Sequence, residues 1–352
     1  MSWDFDSFNE SGFNGFIDSG FDARGGTKAV IWKISPSDGS TIWASDWTDI
    51  ATFTSPIPLL AVTSTHVIAV YLSANLLTMF IKTLTIDGLP VDAYTLTSTT
   101  GFSRQVMLHV PTGHLMWISG SNLYRYNPIA KTYALNGVVI TTPFGGASGR
   151  NFTSTANGDI VWANALTNGV PEANRFINSG QTGASSQIAA GGNIAERLWR
   201  SNSQASTGLA SASVNTANAD KGFATYAGYN IANFTSIQSL ATLSGNYIVP
   251  CVSGSDVYDV VFATLTTYVL KAGGWTIQTP PTPYNETFPP SSAASPDAVF
   301  VGTGGATPQI GAFASNDGAG VWTKTFNGIA RAPFQMTIGP DGALYAATDR
   351  AS

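Results

Sequence analysis

The chain has 352 residues, of which 43% are hydrophobic and only 11% charged, against about 25% charged in an ordinary soluble domain. Coiled coils, helical bundles and helical repeats keep their outer faces soluble with Lys, Glu and Arg, so this composition argues against all three. The 16 basic and 21 acidic residues give a net charge of −5 with no basic block, which leaves nucleic-acid binding without support.

The apolar runs are separated by Ser, Thr, Asn and Gly, and the chain holds 36 Gly and 18 Pro. Such residues suit strands joined by turns. Aromatic residues make up 11% of the chain, too many for a disordered one. The expected fold class is all-β.

Residues 1–27 stand apart. They read as an eight-residue repeat, Phe-x-x-Phe-x-x-Ser-Gly, given twice and begun a third time, with Trp3, Phe5, Phe8, Phe13, Phe16 and Phe21 separated by Asp, Asn, Ser and Gly. The segment is too polar and Gly-rich to fold alone, yet too aromatic to stay in water without use. It reads as an arm whose aromatic anchors dock on a partner protein; packing on its own domain and disorder are the alternatives. Met1–Asp6 lacks the basic region and apolar stretch of a secretory signal. No segment reaches the roughly 18 consecutive apolar residues of a membrane span. Neither export nor membrane insertion is expected.

Residues 28–352 read as one domain of repeats. A strand, a polar turn and a second strand recur with turns at Ser64-Thr65, Pro111-Thr112-Gly113, Asn157-Gly158, Gly191-Gly192, Ser244-Gly245, Ser295-Pro296-Asp297 and Gly339-Pro340-Asp341-Gly342. The spacing is close to the roughly 40–50 residues of a four-stranded propeller blade. A second register places Trp four residues after Gly, at Gly39/Trp43, Gly113/Trp117, Gly158/Trp162 and Gly318/Trp322. Gly supplies a hairpin's positive φ, and Trp packs between sheets.

The stretch Ala298-Val299-Phe300-Val301-Gly302-Thr303-Gly304, then Ile310-Gly311-Ala312-Phe313, then Asp317-Gly318 and Val321-Trp322 resembles one blade of the PQQ-like propeller repeat. Thr27 to Trp47 resembles the second half of such a blade, and the likeness covers residues 27–47 and 290–349. It implies a β-propeller, with seven blades from the turn markers and six or eight also compatible. Pro333 to Thr348 supplies a first hairpin and Lys28 to Trp47 a second, so the two ends of the chain are expected to share one blade, which would leave no open edge.

The quinoprotein members of that family hold a cofactor beside calcium, and many carry an adjacent Cys pair. This chain has one Cys, Cys251, and four Glu, none in such a motif. No cofactor and no metal are expected. Cys251 lies in Tyr247-Ile248-Val249-Pro250-Cys251-Val252 and reads as a core residue. His66, His109 and His114 are the only histidines; the last two flank one turn without a third ligand. Asp256 and Asp259 are one candidate pair of carboxylates, no more marked than any pair the loops offer. Gly302-Thr303-Gly304-Gly305 lacks the Lys-Ser/Thr of a phosphate loop. Asp38-Gly39 and Asp317-Gly318 are turn residues.

The expectation is a non-enzymatic propeller within a larger assembly, a bacteriophage virion at tail or capsid surface, with the arm docked on other protein subunits. Its free face would meet neighbours or a host-surface glycan or protein. A carbohydrate-binding or carbohydrate-cleaving propeller and a cellular PQQ-like scaffold are the alternatives.

Overall fold

The structure is a computed structural model. It describes residues 28–47, 59–73, 77–99, 102, 106–109, 112–119, 122–139, 291–303, 308–326 and 335–350, and between 151 and 279 it describes the strands. The arm, with Trp3 and its five Phe, lies outside the described residues.

The described chain is all-β, in four-stranded antiparallel sheets. Sheet I contains β3 (Leu59–Val62), β4 (His66–Leu72), β5 (Thr78–Thr85) and β6 (Pro90–Thr97). Sheet II contains β7 (Met107–His109), β8 (His114–Ser119), β9 (Asn122–Asn127) and β10 (Thr132–Val139). Sheet III follows with β11 (Asn151–Ser154), β12 (Ile160–Ala165), β13 (Pro171–Ile177) and β14 (Gln181–Gln187). Sheet IV holds β15 (Ile194–Arg200), β16 (Leu209–Thr216), β17 (Phe223–Asn230) and β18 (Thr235–Leu240). Sheet V is β19 (Tyr247–Ser253), β20 (Asp256–Ala263), β21 (Thr266–Lys271) and β22 (Thr276–Thr279). In sheet VI are β23 (Ser291–Ala294), β24 (Ala298–Thr303), β25 (Gln309–Ala314) and β26 (Gly320–Thr325).

Sheet VII draws on both ends of the chain. It runs β27 (Gln335–Ile338), β28 (Leu344–Arg350), β1 (Lys28–Ile34), β2 (Thr41–Trp47), with Trp32 opposite Ala346 in the pairing of β1 with β28. The first strand of each sheet lies beside those of its neighbours, among them β27 beside β3 and β23 beside β27. Repeated sheets laid side by side about their first strands form a β-propeller.

Two turn markers are corrected. Gly191-Gly192 falls between β14 and β15, and Ser244-Gly245 between β18 and β19. Both pairs lie outside the described residues, and the strands flanking each belong to different sheets, while the first hairpins of sheets IV and V join β15 to β16 and β19 to β20. Small flexible residues serve a crossing as well as a hairpin, so composition alone did not separate the two.

Inner strands are buried on both sides. In β1, Val30, Trp32 and Ile34 join Phe300, Ile310 and Met336 in the core between sheets VI and VII. Ile31, of opposite parity, joins Tyr345, Val67 and Tyr71 in the core between sheets VII and I. A third core places Ile68, Val70 and Ile81 of sheet I against Leu115, Met116 and Trp117 of sheet II. Alternating residues thus face different neighbours, which explains why these strands read as near-continuous apolar runs. The fourth strands are half covered: β6 and β26 alternate exposed and half-buried residues along most of their length.

Pairing between third and fourth strands is irregular. Among the described strands it carries a register shift in β1–β2, β5–β6, β9–β10, β13–β14, β17–β18 and β25–β26, but not in β21–β22.

Phe300 is fully buried and packs 5.8 Å from the Trp322 ring. Phe300→Ala should lower unfolding free energy by about 3–5 kcal/mol and Phe300→Leu by much less, as read from denaturant midpoints.

Candidate functional site at the joints between sheets

The polar chemistry of the described residues is concentrated where one sheet meets the next. Each described hairpin between third and fourth strands turns through one residue of positive φ: Gly39 in sheet VII, Gly88 in sheet I, Lys131 in sheet II and Gly318 in sheet VI. Two or three residues earlier, a backbone carbonyl of the same turn accepts a hydrogen bond from the preceding sheet.

At the joint of sheets VI and VII, Trp322 Nε1 donates to the Pro36 carbonyl at 2.8 Å, and Lys324 Nζ donates to the Gly39 carbonyl at 2.9 Å. The indole lies against Gly39 so closely that a Cβ there would sit 2.7 Å from Trp322 Cε3. The next joint repeats the device. Trp43 Nε1 and Lys33 Nζ both donate to the Ile86 carbonyl, at 3.1 and 3.2 Å, and a Cβ on Gly88 would sit 2.6 Å from Trp43 Cδ2.

Between sheets I and II, tyrosine replaces tryptophan: Tyr94 Oη donates to the Pro128 carbonyl at 2.7 Å. The positive-φ position is now Lys131, whose Nζ lies 4.5 Å from the Tyr94 ring centroid and 2.6 Å from Asp92 Oδ2. Burial, with Tyr126 adding to it, pushes the Tyr94 phenol far above its ordinary value, so it stays a donor. Between sheets V and VI, Lys271 Nζ donates to the Ser315 carbonyl at 3.2 Å.

Five of the chain's seven lysines therefore bridge sheets. Beyond Lys33, Lys131, Lys271 and Lys324, the buried Lys82 of β5 reaches back to sheet VII and donates to the Asp46 carbonyl at 2.6 Å and to Ser45 Oγ at 3.2 Å. Two of these lysines share a setting: Lys33 is paired across the ladder with Tyr345, and Lys271 with Tyr258. Each Nζ lies 5.7 Å from the centroid of its tyrosine ring.

Lys33 also pairs with Asp341 Oδ2 at 2.7 Å, and Tyr345 Oη donates to the same oxygen at 2.9 Å. Burial alone would raise the Asp341 carboxyl, but hydrogen bonds from Lys33, Tyr345 and the Ala343 amide outweigh it and hold the group below its ordinary range. On the outer surface, the hydroxyls of Ser35 and Ser40 and the Ser40 amide bring the Asp38 carboxyl down to about 2.

The Gly-to-Trp register divides in two. Gly39/Trp43 and Gly318/Trp322 lie on hairpins between third and fourth strands, and their Trp residues clasp the next sheet. Gly113 turns between β7 and β8, and Trp117 is a buried second-strand residue stacked 5.4 Å from Tyr124. Gly158, outside the described residues, falls between β11 and β12, with Trp162 on β12. The shared spacing concealed two positions because a tight hairpin puts the residue four after its glycine inside a strand in both. Lys33, Lys271 and Lys324 were missed. Their signal was present as a lysine near the end of a third or a fourth strand.

His109 and His114 pair across the β7–β8 hairpin. Burial, with Arg125 adding to it, lowers the His114 value, so the ring is neutral near pH 7. Asp256 and Asp259 both fall on β20 and Cys251 on β19, their side chains outside the described residues. Gly302 and Thr303 end β24, and Gly304 and Gly305 are not described. Among the described residues, no three His, Cys, Asp or Glu groups gather as a metal site, and no helix is long and apolar enough to cross a membrane. Trp32 and Trp117 are buried, and Trp43 and Trp322 are half-buried against neighbouring turns. None of these four lies open for a sugar to stack on.

No protein-family model and no curated protein matches the sequence. Among solved structures, the chain is similar to BamB from Moraxella catarrhalis over 88% of each chain, with a TM-score of 0.47 and 10% identity.

Gly39 and Gly342 allow the joint to be weighed. Both have positive φ, but a Cβ at Gly342 meets nothing within 4 Å. Gly342→Ala should cost about 1–2 kcal/mol from backbone conformation alone. Gly39→Ala should cost clearly more, because it also displaces Trp322; equal shifts in the denaturation midpoint would show that the indole contact does not hold the joint.

Acid should act on the Lys33–Asp341 pair. A carboxylate with a lowered folded value contributes stability that is fully present above its ordinary value of 3.8 and is lost as pH falls through the folded value. Titrating stability from pH 6 to pH 2 should show that loss in the parent protein and a smaller one in Asp341→Asn.

Proposed function

We infer that the chain is a non-enzymatic structural propeller of a larger assembly, a bacteriophage virion, anchored through residues 1–27. In this reading it has seven four-stranded blades, and the blade shared by the two ends of the chain closes the ring. The shared sheet VII, the hydrogen bonds across 286 and 285 residues from Trp322 and Lys324 to Pro36 and Gly39, and the side-by-side first strands support it.

The observation that carries the assembly reading is where the aromatic repeat enters the framework. It runs into β1, an interior strand flanked by β2 and β28 and tied to sheet I through Lys33. A load on the arm therefore passes to four strands and the adjoining sheet instead of peeling an edge. The outer strands add small uncharged exposed residues, such as Ala44, Ala93, Thr95, Thr97, Thr323 and Thr325, which suit close packing among neighbours.

The test is incorporation. Full-length chain with Phe5, Phe8, Phe13, Phe16 and Phe21 changed to Ser should keep the parent's melting temperature but be lost from gradient-purified particles, as quantified by mass spectrometry. Parent chain recovered only as a free monomer, with none on particles, would overturn the reading.

A further inference from the structure

The tight turns that form the joints also present a surface. Within three residues of each positive-φ position stand exposed apolar side chains: Val321, Ile42, Leu89, Val91 and Ile129. Leu89 is 65% exposed and Ile42 54%. They recur on four successive sheets, VI, VII, I and II, whose turns are linked in series by Trp322, Trp43 and Tyr94. Packing within the chain leaves them on the outside of the joints that the Trp and Tyr rings fill.

On sheets VI, VII and I the charges beside them share one sign. Asp317, Asp38 and Asp87 are exposed on the same turns, and Asp297 on the hairpin between β23 and β24. The nearest lysines do not offset them in solvent, because Lys33 and Lys324 donate to carbonyls inside the joints and Lys131 is paired with Asp92.

We propose that this apolar, acidic row of turns docks a segment of a second protein in which Lys or Arg alternates with apolar residues. Charge selects the occupant. The arm carries Asp4, Asp6, Glu10, Asp18 and Asp22 against Arg24, so it is repelled by the row. A second copy offers the same row and is repelled in turn. Anionic lipid and nucleic acid fail for the same reason. The row also lies at the Ile34 end of β1, whereas the arm enters at the Lys28 end, so the two docking elements occupy opposite ends of one strand. The inference rests on the assembly reading and gives that assembly a second, separate contact.

The probes are labelled peptides of alternating Lys and Leu, Lys and Ser, and Glu and Leu, titrated into full-length protein by fluorescence anisotropy. The Lys/Leu peptide should bind, weaken with salt, and bind about tenfold or more tighter than the Lys/Ser peptide, with the Glu/Leu peptide not binding. Asp38→Asn with Asp87→Asn and Asp317→Asn should weaken binding about tenfold, since Asn keeps the turn's hydrogen-bond acceptor while losing the charge. Ile42→Thr with Leu89→Ser and Val91→Thr should weaken it similarly at an unchanged melting temperature. Equal affinity for Lys/Leu and Lys/Ser peptides, or binding untouched by both variants, would overturn the proposal. The five-Phe variant should bind the Lys/Leu peptide as the parent does, so failure of the arm and failure of this row are read separately.

Discussion

The architecture depends on a backbone carbonyl that its own turn cannot satisfy. A tight hairpin through a positive-φ residue leaves one carbonyl directed at the neighbouring sheet, and an unpartnered acceptor in a half-buried seam costs about 1–3 kcal/mol. The preceding sheet supplies the donor: Trp322 to Pro36, Trp43 and Lys33 to Ile86, Tyr94 to Pro128, Lys271 to Ser315. Lysine contributes most here, because a charge-assisted bond is roughly twice as strong as a neutral one. Apolar packing holds the inner strands together but is non-directional. The carbonyl joints set how each sheet is seated on the next.

Most of the chain's few lysines are committed to seams, and the outer strands and turns meet solvent through Ser, Thr, Asn and exposed Asp. Glycine at the joint answers two demands together. It permits the turn and leaves room for an indole, and where tyrosine stands in place of tryptophan the glycine gives way to Lys131, whose side chain covers the smaller ring.

Much of the fold was legible in the sequence. The alternation of apolar strands with Gly- and Asp-bearing turns marks the hairpins, and Pro333 to Thr348 with Lys28 to Trp47 announces the mixed sheet. The markers at Gly191-Gly192 and Ser244-Gly245 were misread because Gly and Ser are as frequent between sheets as within a hairpin. The joints were half legible. Trp43 and Trp322 stood out by spacing, whereas Lys33, Lys271 and Lys324 did not, since a single lysine in a strand looks like a solvated residue until its neighbour sheet is in place. Tyr94 gave no signal by spacing, because it stands six residues after the glycine of its own hairpin, Gly88, where Trp43 and Trp322 stand four after theirs.

The displaced ladders between third and fourth strands bear on how such molecules meet one another. A flat, uncharged outer strand is a template on which another chain can add by backbone pairing, the first step toward stacked fibrils. The shift near the turn in β1–β2, β5–β6, β9–β10, β13–β14, β17–β18 and β25–β26 twists that template away from the geometry an incoming strand requires. In those six sheets the outer strand is left to contacts made by side chains, which can be reversed and ordered, and is spared the strand-to-strand fusion to which so uncharged a strand would otherwise be open, whereas β22, whose pairing with β21 carries no shift, keeps a regular ladder.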